Sequence, residues 1–236
     1  MVKGVLPQTL DALASMHEAG YAHRVLSPGC IQLSAKQGMN KNAALEDCDP
    51  TNLCVKLGDF GRATLFEDAS ALPGGSLGLV AQDLRAVGMA FVQLLLGSLT
   101  ETETLNPETG LATPVARPPP VTTADLARQM ALFDDRITGE GGFAEFCRGE
   151  QAWNKVVALL DADDGAGWQF LELLVSAPSS FSLARAAGEV PGLRTASGMA
   201  SHPFLQTEAI ADAARGVIGG RGIDVSKRKL FGLFEW

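Results

Sequence analysis

Residues 21–34 read YAHRVLSPGCIQLS and residues 52–66 read NLCVKLGDFGRATLF. Ile31–Ser34 and Leu53–Leu57 are short apolar or alternating runs, the pattern of paired strands. Between them lies AKQGMNKNAALEDCDPTN, whose Gly, Asn, Asp and Pro mark a surface loop. A loop of this length adds little entropic cost, so an insertion is tolerated here. A polar turn, His23-Arg24, precedes the first run, and a second, Asp59-Phe60-Gly61, follows the other.

The order of these pieces resembles the catalytic core of the eukaryotic protein kinase family. There H-R-D-L-K-P-x-N is followed by a short hairpin and then D-F-G. His23, Arg24, Leu26 and Pro28 match the first motif, and Asp59 matches the metal-binding Asp of the second. The chemistry-bearing positions differ. Val25 stands where the resemblance implies the catalytic Asp, Ser27 where it implies Lys, and Cys30 where it implies the metal-binding Asn. Phosphoryl transfer needs a carboxylate to orient the attacking hydroxyl and ligands for the metal at the phosphates. Val25 has no lone pair, Ser27 no positive charge, and a thiol is a poor partner for the hard Mg²⁺ ion. The resemblance therefore implies a scaffold with degenerate ATP binding and no catalytic residue. Asp59 is a metal ligand only if a nucleotide–metal complex is bound.

Upstream, VLPQTLDALASMHEAG over residues 5–20 predicts an amphipathic helix stopped by Gly20. No G-x-G-x-x-G and no V-A-I-K occurs, so the small lobe that the family places before this helix has no counterpart in the sequence. Either the large lobe stands alone or its upstream part lies outside these residues. Downstream, GRATLFEDASALPGGSLGLVAQ has no A-P-E, and Ala81-Gln82 fall roughly where that motif would end. Residues 83–97 then resemble the D-x-W-S-x-G helix at the centre of the kinase large lobe. By that resemblance Asp83 accepts backbone N–H groups from the His23–Arg24 loop. As a helix N-cap it would also meet the helix dipole favourably.

Residues 98–123 are rich in Thr, Pro, Glu and Gly and read as an irregular connection, with helices resuming over 124–132, 142–147 and 152–160. The apolar helix after Asp163-Asp164-Gly165-Ala166-Gly167-Trp168, the Arg194-Thr-Ala turn and His202-Pro203-Phe204 follow in the order of a kinase large lobe. The resemblance makes His23, Arg24, Asp83 and Arg194 structural residues. The Gly165–Trp168 run is also similar to the kinase-like region of plastid-lipid-associated (fibrillin-type) proteins, and loosely to thylakoid state-transition kinases. That implies a chloroplast location, stromal or thylakoid-associated; otherwise the expectation is cytoplasmic.

Composition sets outer bounds. The 236 residues are 46% hydrophobic, enough for one sizeable core. A net charge of −8 argues against non-specific nucleic-acid binding. Cys30, Cys48, Cys54 and Cys147 show neither C-x-x-C nor ligand spacing, so disulfide and metal frameworks are disfavoured. The N-terminus has no signal-peptide apolar core. The best apolar stretch, residues 86–99, is shorter than the ~18 residues of a membrane span and reads as a buried helix.

The expected fold is mainly α (α+β): a protein-kinase-like large lobe over residues 1–206, with insertions at about 35–51 and 98–123 and small β-hairpins. A C-terminal helix and aromatic tail follow over 207–236. The expected function is that of an inactive pseudokinase serving as a scaffold or structural subunit, without cofactor. The alternative is an atypical Ser/Thr kinase using ATP with magnesium. Val25, Leu26, Leu53 and Val55 are expected beside an apolar surface that a partner protein or larger complex covers. Phe231, Phe234 and Trp236 either fold back on the core or contact a partner or membrane surface.

Overall fold

The computed structural model describes residues 2–35, 53–72, 74–101, 103–105, 111–114, 122–133, 136–176 and 195–206. The chain is mainly helical with small antiparallel sheets. The helices are α1 (Val2–Glu18), α2 (Gly75–Leu99), α3 (Thr123–Leu132), α4 (Phe143–Gly149), α5 (Asn154–Val175), α6 (Ala196–Ala200) and α7 (Pro203–Gln206). Among the described residues, six short strands pair two by two. They are β1 (Tyr21–Ala22) with β4 (Thr64–Leu65), β2 (Ile31–Ala35) with β3 (Leu53–Leu57), and β5 (Glu103–Leu105) with β6 (Ala112–Pro114).

α2 is the axis of the core. Leu84, Val87, Phe91, Leu95 and Leu96 are buried along its length, and α5 packs against it. Leu10 and Leu13 of α1, Met130 of α3, Phe143 of α4, Phe170 and Leu174 of α5, and Phe204 of α7 join the same apolar cluster. Phe91, Phe170 and Phe204 meet as a triangle of rings with centroids 5.5–6.2 Å apart, a spacing at which tilted and edge-on contacts are favourable.

α1 lies across β3. Ile31 faces Leu57 and Leu33 faces Val55 in the β2–β3 register. The Val55 N–H points away from β2 and donates to the Gln8 side-chain oxygen of α1 at 3.1 Å. The outer edge of the hairpin is thus partly satisfied by a helix side chain. That cover removes part of the apolar surface expected from the sequence: Leu26 and Val55 are buried within the chain, and Val25 is half-buried.

Three elements depart from sequence expectation. α2 begins at Gly75, so Asp83 sits well inside a helix and is not its N-cap, and Ala81-Gln82 belong to that helix and not to the preceding loop. Gly74 and Gly75 both have positive φ, 80° and 60°, and this left-handed corner sets the helix start. At 25 residues α2 is also long and apolar enough to cross a membrane by length and composition, contrary to the shorter stretch read from the sequence. Yet 72% of its most apolar 18-residue window is buried inside the chain. Lastly, β5 and β6 form a small ladder within the expected irregular connection.

Candidate functional site

The His23–Arg24 turn is held by a single carboxylate. β1 delivers the chain to a corner where Arg24 adopts φ 71°, a left-handed conformation unfavourable for a residue with a Cβ. Asp83, fully buried on α2, accepts from the His23 backbone N–H at 2.8 Å through Oδ2 and from the Arg24 N–H at 2.7 Å through Oδ1. A third donor, His17 Nε2 at the end of α1, lies 3.0 Å from Oδ2. A buried carboxylate is tolerated only when its lone pairs are used. Here three donors from two segments converge on it, so Asp83 ties α1, the turn and α2 together.

His23 is turned inward. Its Nε2 lies 2.9 Å from the Gly58 carbonyl oxygen, which only accepts, so the proton sits on Nε2. The ring packs 5.5 Å from Phe60, and the side chain is fully buried with Nδ1 unpartnered. His23 therefore joins the first turn to the segment that carries Asp59.

Val25, Ser27 and Cys30 lie just beyond. Val25 contributes its carbonyl oxygen to the Cys30 thiol at 3.4 Å. Ser27 Oγ is 3.4 Å from the same sulfur, and the Cys30 N–H donates to Ser27 O at 3.0 Å. Cys30 is buried, with its thiol engaged by this tight turn. Among these three side chains there is no carboxylate, no cation and no oxygen ligand other than the Ser27 hydroxyl. Asp59 is exposed and left-handed at φ 59°, ψ 56°, and opens the short 3-10 turn Phe60–Arg62.

No group of three or more His, Cys, Asp or Glu side chains is placed to hold a metal among the described residues. Burial pushes the Cys147 thiol up to about 12, so that sulfur is not an activated nucleophile. Arg194, Cys48, the 36–52 loop and the segment carrying Phe231, Phe234 and Trp236 lie outside the described residues.

Sequence reasoning missed two members of this arrangement. His17 carries only a helix-ending pattern in the sequence, whereas in the structure the last turn of α1 brings it onto Asp83 of α2. Gln8 gave no sequence signal, because an edge-capping glutamine looks like any surface polar residue. No family model, no curated protein and no solved structure matches this chain.

Proposed function

We propose that this chain is a protein-kinase-like large lobe without phosphotransfer activity, serving as a scaffold or structural subunit of a protein assembly in a plastid. The observation that carries the reading is the loop clamp. A buried helical carboxylate holds the His23–Arg24 turn, while Val25, Ser27 and Cys30 occupy the positions where chemistry would be needed. The loop has its support, and these three side chains offer neither a carboxylate nor a cation. Fold and activity are separable in this way, since function lives in a site and not in the scaffold beneath it.

The scaffold reading also draws on an open apolar surface. Tyr21, Phe60 and Leu65 are large apolar side chains left 42%, 54% and 38% exposed, and Tyr21 and Leu65 are paired across β1–β4. Clustered exposed apolar groups mark interaction surfaces more often than scattered ones do. The plastid assignment rests on the likeness of the Gly165–Trp168 run alone, and the location of a fluorescent fusion in an algal or plant cell tests it.

The second reading, an ATP- and magnesium-dependent kinase, is favoured by one observation: Asp59 is exposed and free to approach a ligand. Incubation with radiolabelled ATP, magnesium and generic protein substrates separates the two. The expected result is no incorporation and no shift in melting temperature with magnesium nucleotide. Label transfer that disappears in Asp59→Ala would overturn the scaffold reading.

A further inference from the structure

Asp164-Gly165 is the one Asp-Gly pair in the 236 residues, and no Asn-Gly pair occurs. An aspartate before glycine is the aspartyl bond most open to cyclisation, because glycine has no Cβ to hinder approach to its backbone nitrogen. Asp164 is exposed. It lies in the break of α5, where Asp163, Asp164 and Gly165 take φ of 52°, 58° and 78°.

In that cyclisation the Gly165 nitrogen attacks Cγ of Asp164. An N–Cγ bond forms and a Cγ–O bond breaks. The departing oxygen leaves as water, with the amide proton and, from an ionised carboxylate, one proton of the solvent. Water then opens the five-membered imide at either carbonyl carbon. Opening at Cγ restores aspartate. Opening at the former backbone carbonyl carbon gives isoaspartate, whose backbone runs through Cβ and Cγ and is one methylene longer. No oxidant or reductant takes part.

The folded chain blocks the first step. A left-handed conformation presses Cβ of an L residue toward its own carbonyl oxygen, and the planar peptide puts the next nitrogen on the other side of the carbonyl carbon. With Asp164 at φ 58° and ψ 33°, Gly165 N therefore faces away from the side chain that must reach it. Turning this peptide plane alone does not bring them together. It would leave Asp164 at positive φ with ψ reversed, the first central position of a type II′ turn, which glycine fills. Asp164 must instead leave the left-handed region and carry the second half of α5 with it. That half is held. Trp168, Phe170, Leu171 and Leu174 are buried in the core. Trp168 Nε1 donates to Asp161 Oδ1 at 2.7 Å across the break, and at Gly167 a Cβ would lie 2.7 Å from Leu160 Cα.

We infer that Asp164-Gly165 is an isomerisation site gated by the α5 break. It is shut while the second half of α5 is seated, and opens when that half lifts off α2 and α7, the helices it packs against. The isoaspartate product does not fit the same seat, because its extra methylene falls just before a glycine with no room to shift. The gate rests on backbone geometry and packing, and goes beyond the scaffold reading without depending on it.

Oxygen exchange tests the gate. Each passage through the imide replaces one oxygen of residue 164 by one from water, whichever carbonyl opens. The full chain is kept in H₂¹⁸O at neutral pH, in buffer and in guanidinium chloride. The peptide containing residue 164 is followed by mass spectrometry, with fragmentation that separates isoaspartate from aspartate. Uptake at residue 164 should be at least about tenfold slower in buffer than in denaturant, because only the locally opened fraction reacts. Gly167→Ala, which crowds the seat, should speed uptake several-fold in buffer and leave the denatured rate unchanged. Gly149→Ala on α4 should leave both rates unchanged. Equal uptake by the unaltered chain in buffer and in denaturant would overturn the gate, and that comparison stands even where Gly167→Ala fails to fold. Uptake in denaturant confined to other aspartates would show that residue 164 is not the site.

Discussion

Two residues set sharp expectations. Removing the Asp83 carboxylate leaves the His23 and Arg24 N–H groups and His17 Nε2 without their acceptor. Unsatisfied buried donors cost about 1–3 kcal/mol, so Asp83→Ala should lower the melting temperature accordingly. Asp83→Asn, which keeps one acceptor oxygen, should cost less. An unchanged melting temperature for Asp83→Ala would remove the clamp role. His202 is the second case. Its Nδ1 accepts from the Phe204 N–H at 3.2 Å, with its ring 5.0 Å from Phe170. Burial holds its pKa below the ordinary 6.5. The unfolded chain therefore binds more protons than the folded one as pH falls below about 6.5. The His202 contribution is fully present above that pH and is lost as pH falls through the lowered folded value. Melting curves between pH 7.5 and 5 should show this loss, and His202→Asn, whose side-chain oxygen accepts without titrating, should flatten it. Parallel pH profiles for the two proteins would show that His202 is not responsible.

At the scale of elements, the α5 break is decided by backbone geometry and packing together. Residues 154–161 and 166–175 are helical, but Asp163, Asp164 and Gly165 all take positive φ between them. The turn lets the second half drop onto α2 and α7. There Gly167 passes so near the first half that a Cβ would lie 2.7 Å from Leu160 Cα and 2.8 Å from Phe204 Cε2. Gly167→Ala should cost on the order of 1–3 kcal/mol through overpacking. Gly149→Ala at the exposed end of α4, where a Cβ meets nothing within 4 Å, should be neutral or slightly stabilising. Equal denaturant midpoints for the two variants would contradict the packing account. The sequence made much at this scale legible. The near-helical spacing of Leu10, Leu13 and Ala14 ahead of Gly20 marks α1, and the helix expected over 124–132 is α3, whose start the structure shows closed by a Thr122–Asp125 capping box that the sequence reading did not use. The start of α2 was not legible, because the one residue of capping type there, Ser76, does not cap the helix, whose N-cap is Gly74 without a side-chain hydrogen bond. Two consecutive left-handed glycines set the boundary, which side-chain periodicity does not encode. The Asp83 clamp was anticipated through a motif resemblance, whereas the His17 contact arises only once α1 and α2 cross.

For the whole molecule, the order of the elements was readable but their mutual packing was not, since packing depends on contacts distant in sequence. α2 shows the difference. Its composition alone suits a membrane as well as a core, with a mean hydropathy of 1.5 over its best window. What decides its place is the burial of Leu84, Val87, Phe91, Leu95 and Leu96 against side chains from α1, α3, α5 and α7. A helix packed on so many sides can expose its amides only when most of the structure opens. In aqueous buffer without detergent, amides from residues 84–96 should therefore exchange hydrogen at the slowest rates in the chain, with protection equal to the global unfolding free energy. α3, which carries a long exposed face and ends in the exposed Leu132, should open through cheaper local fluctuations. Val92→Asp, which buries an unpaired carboxylate on α2, should abolish the slow class altogether. If residues 84–96 exchange as fast as α3 in buffer and become protected only when detergent or lipid is added, α2 belongs to a bilayer and the core described for this chain is overturned.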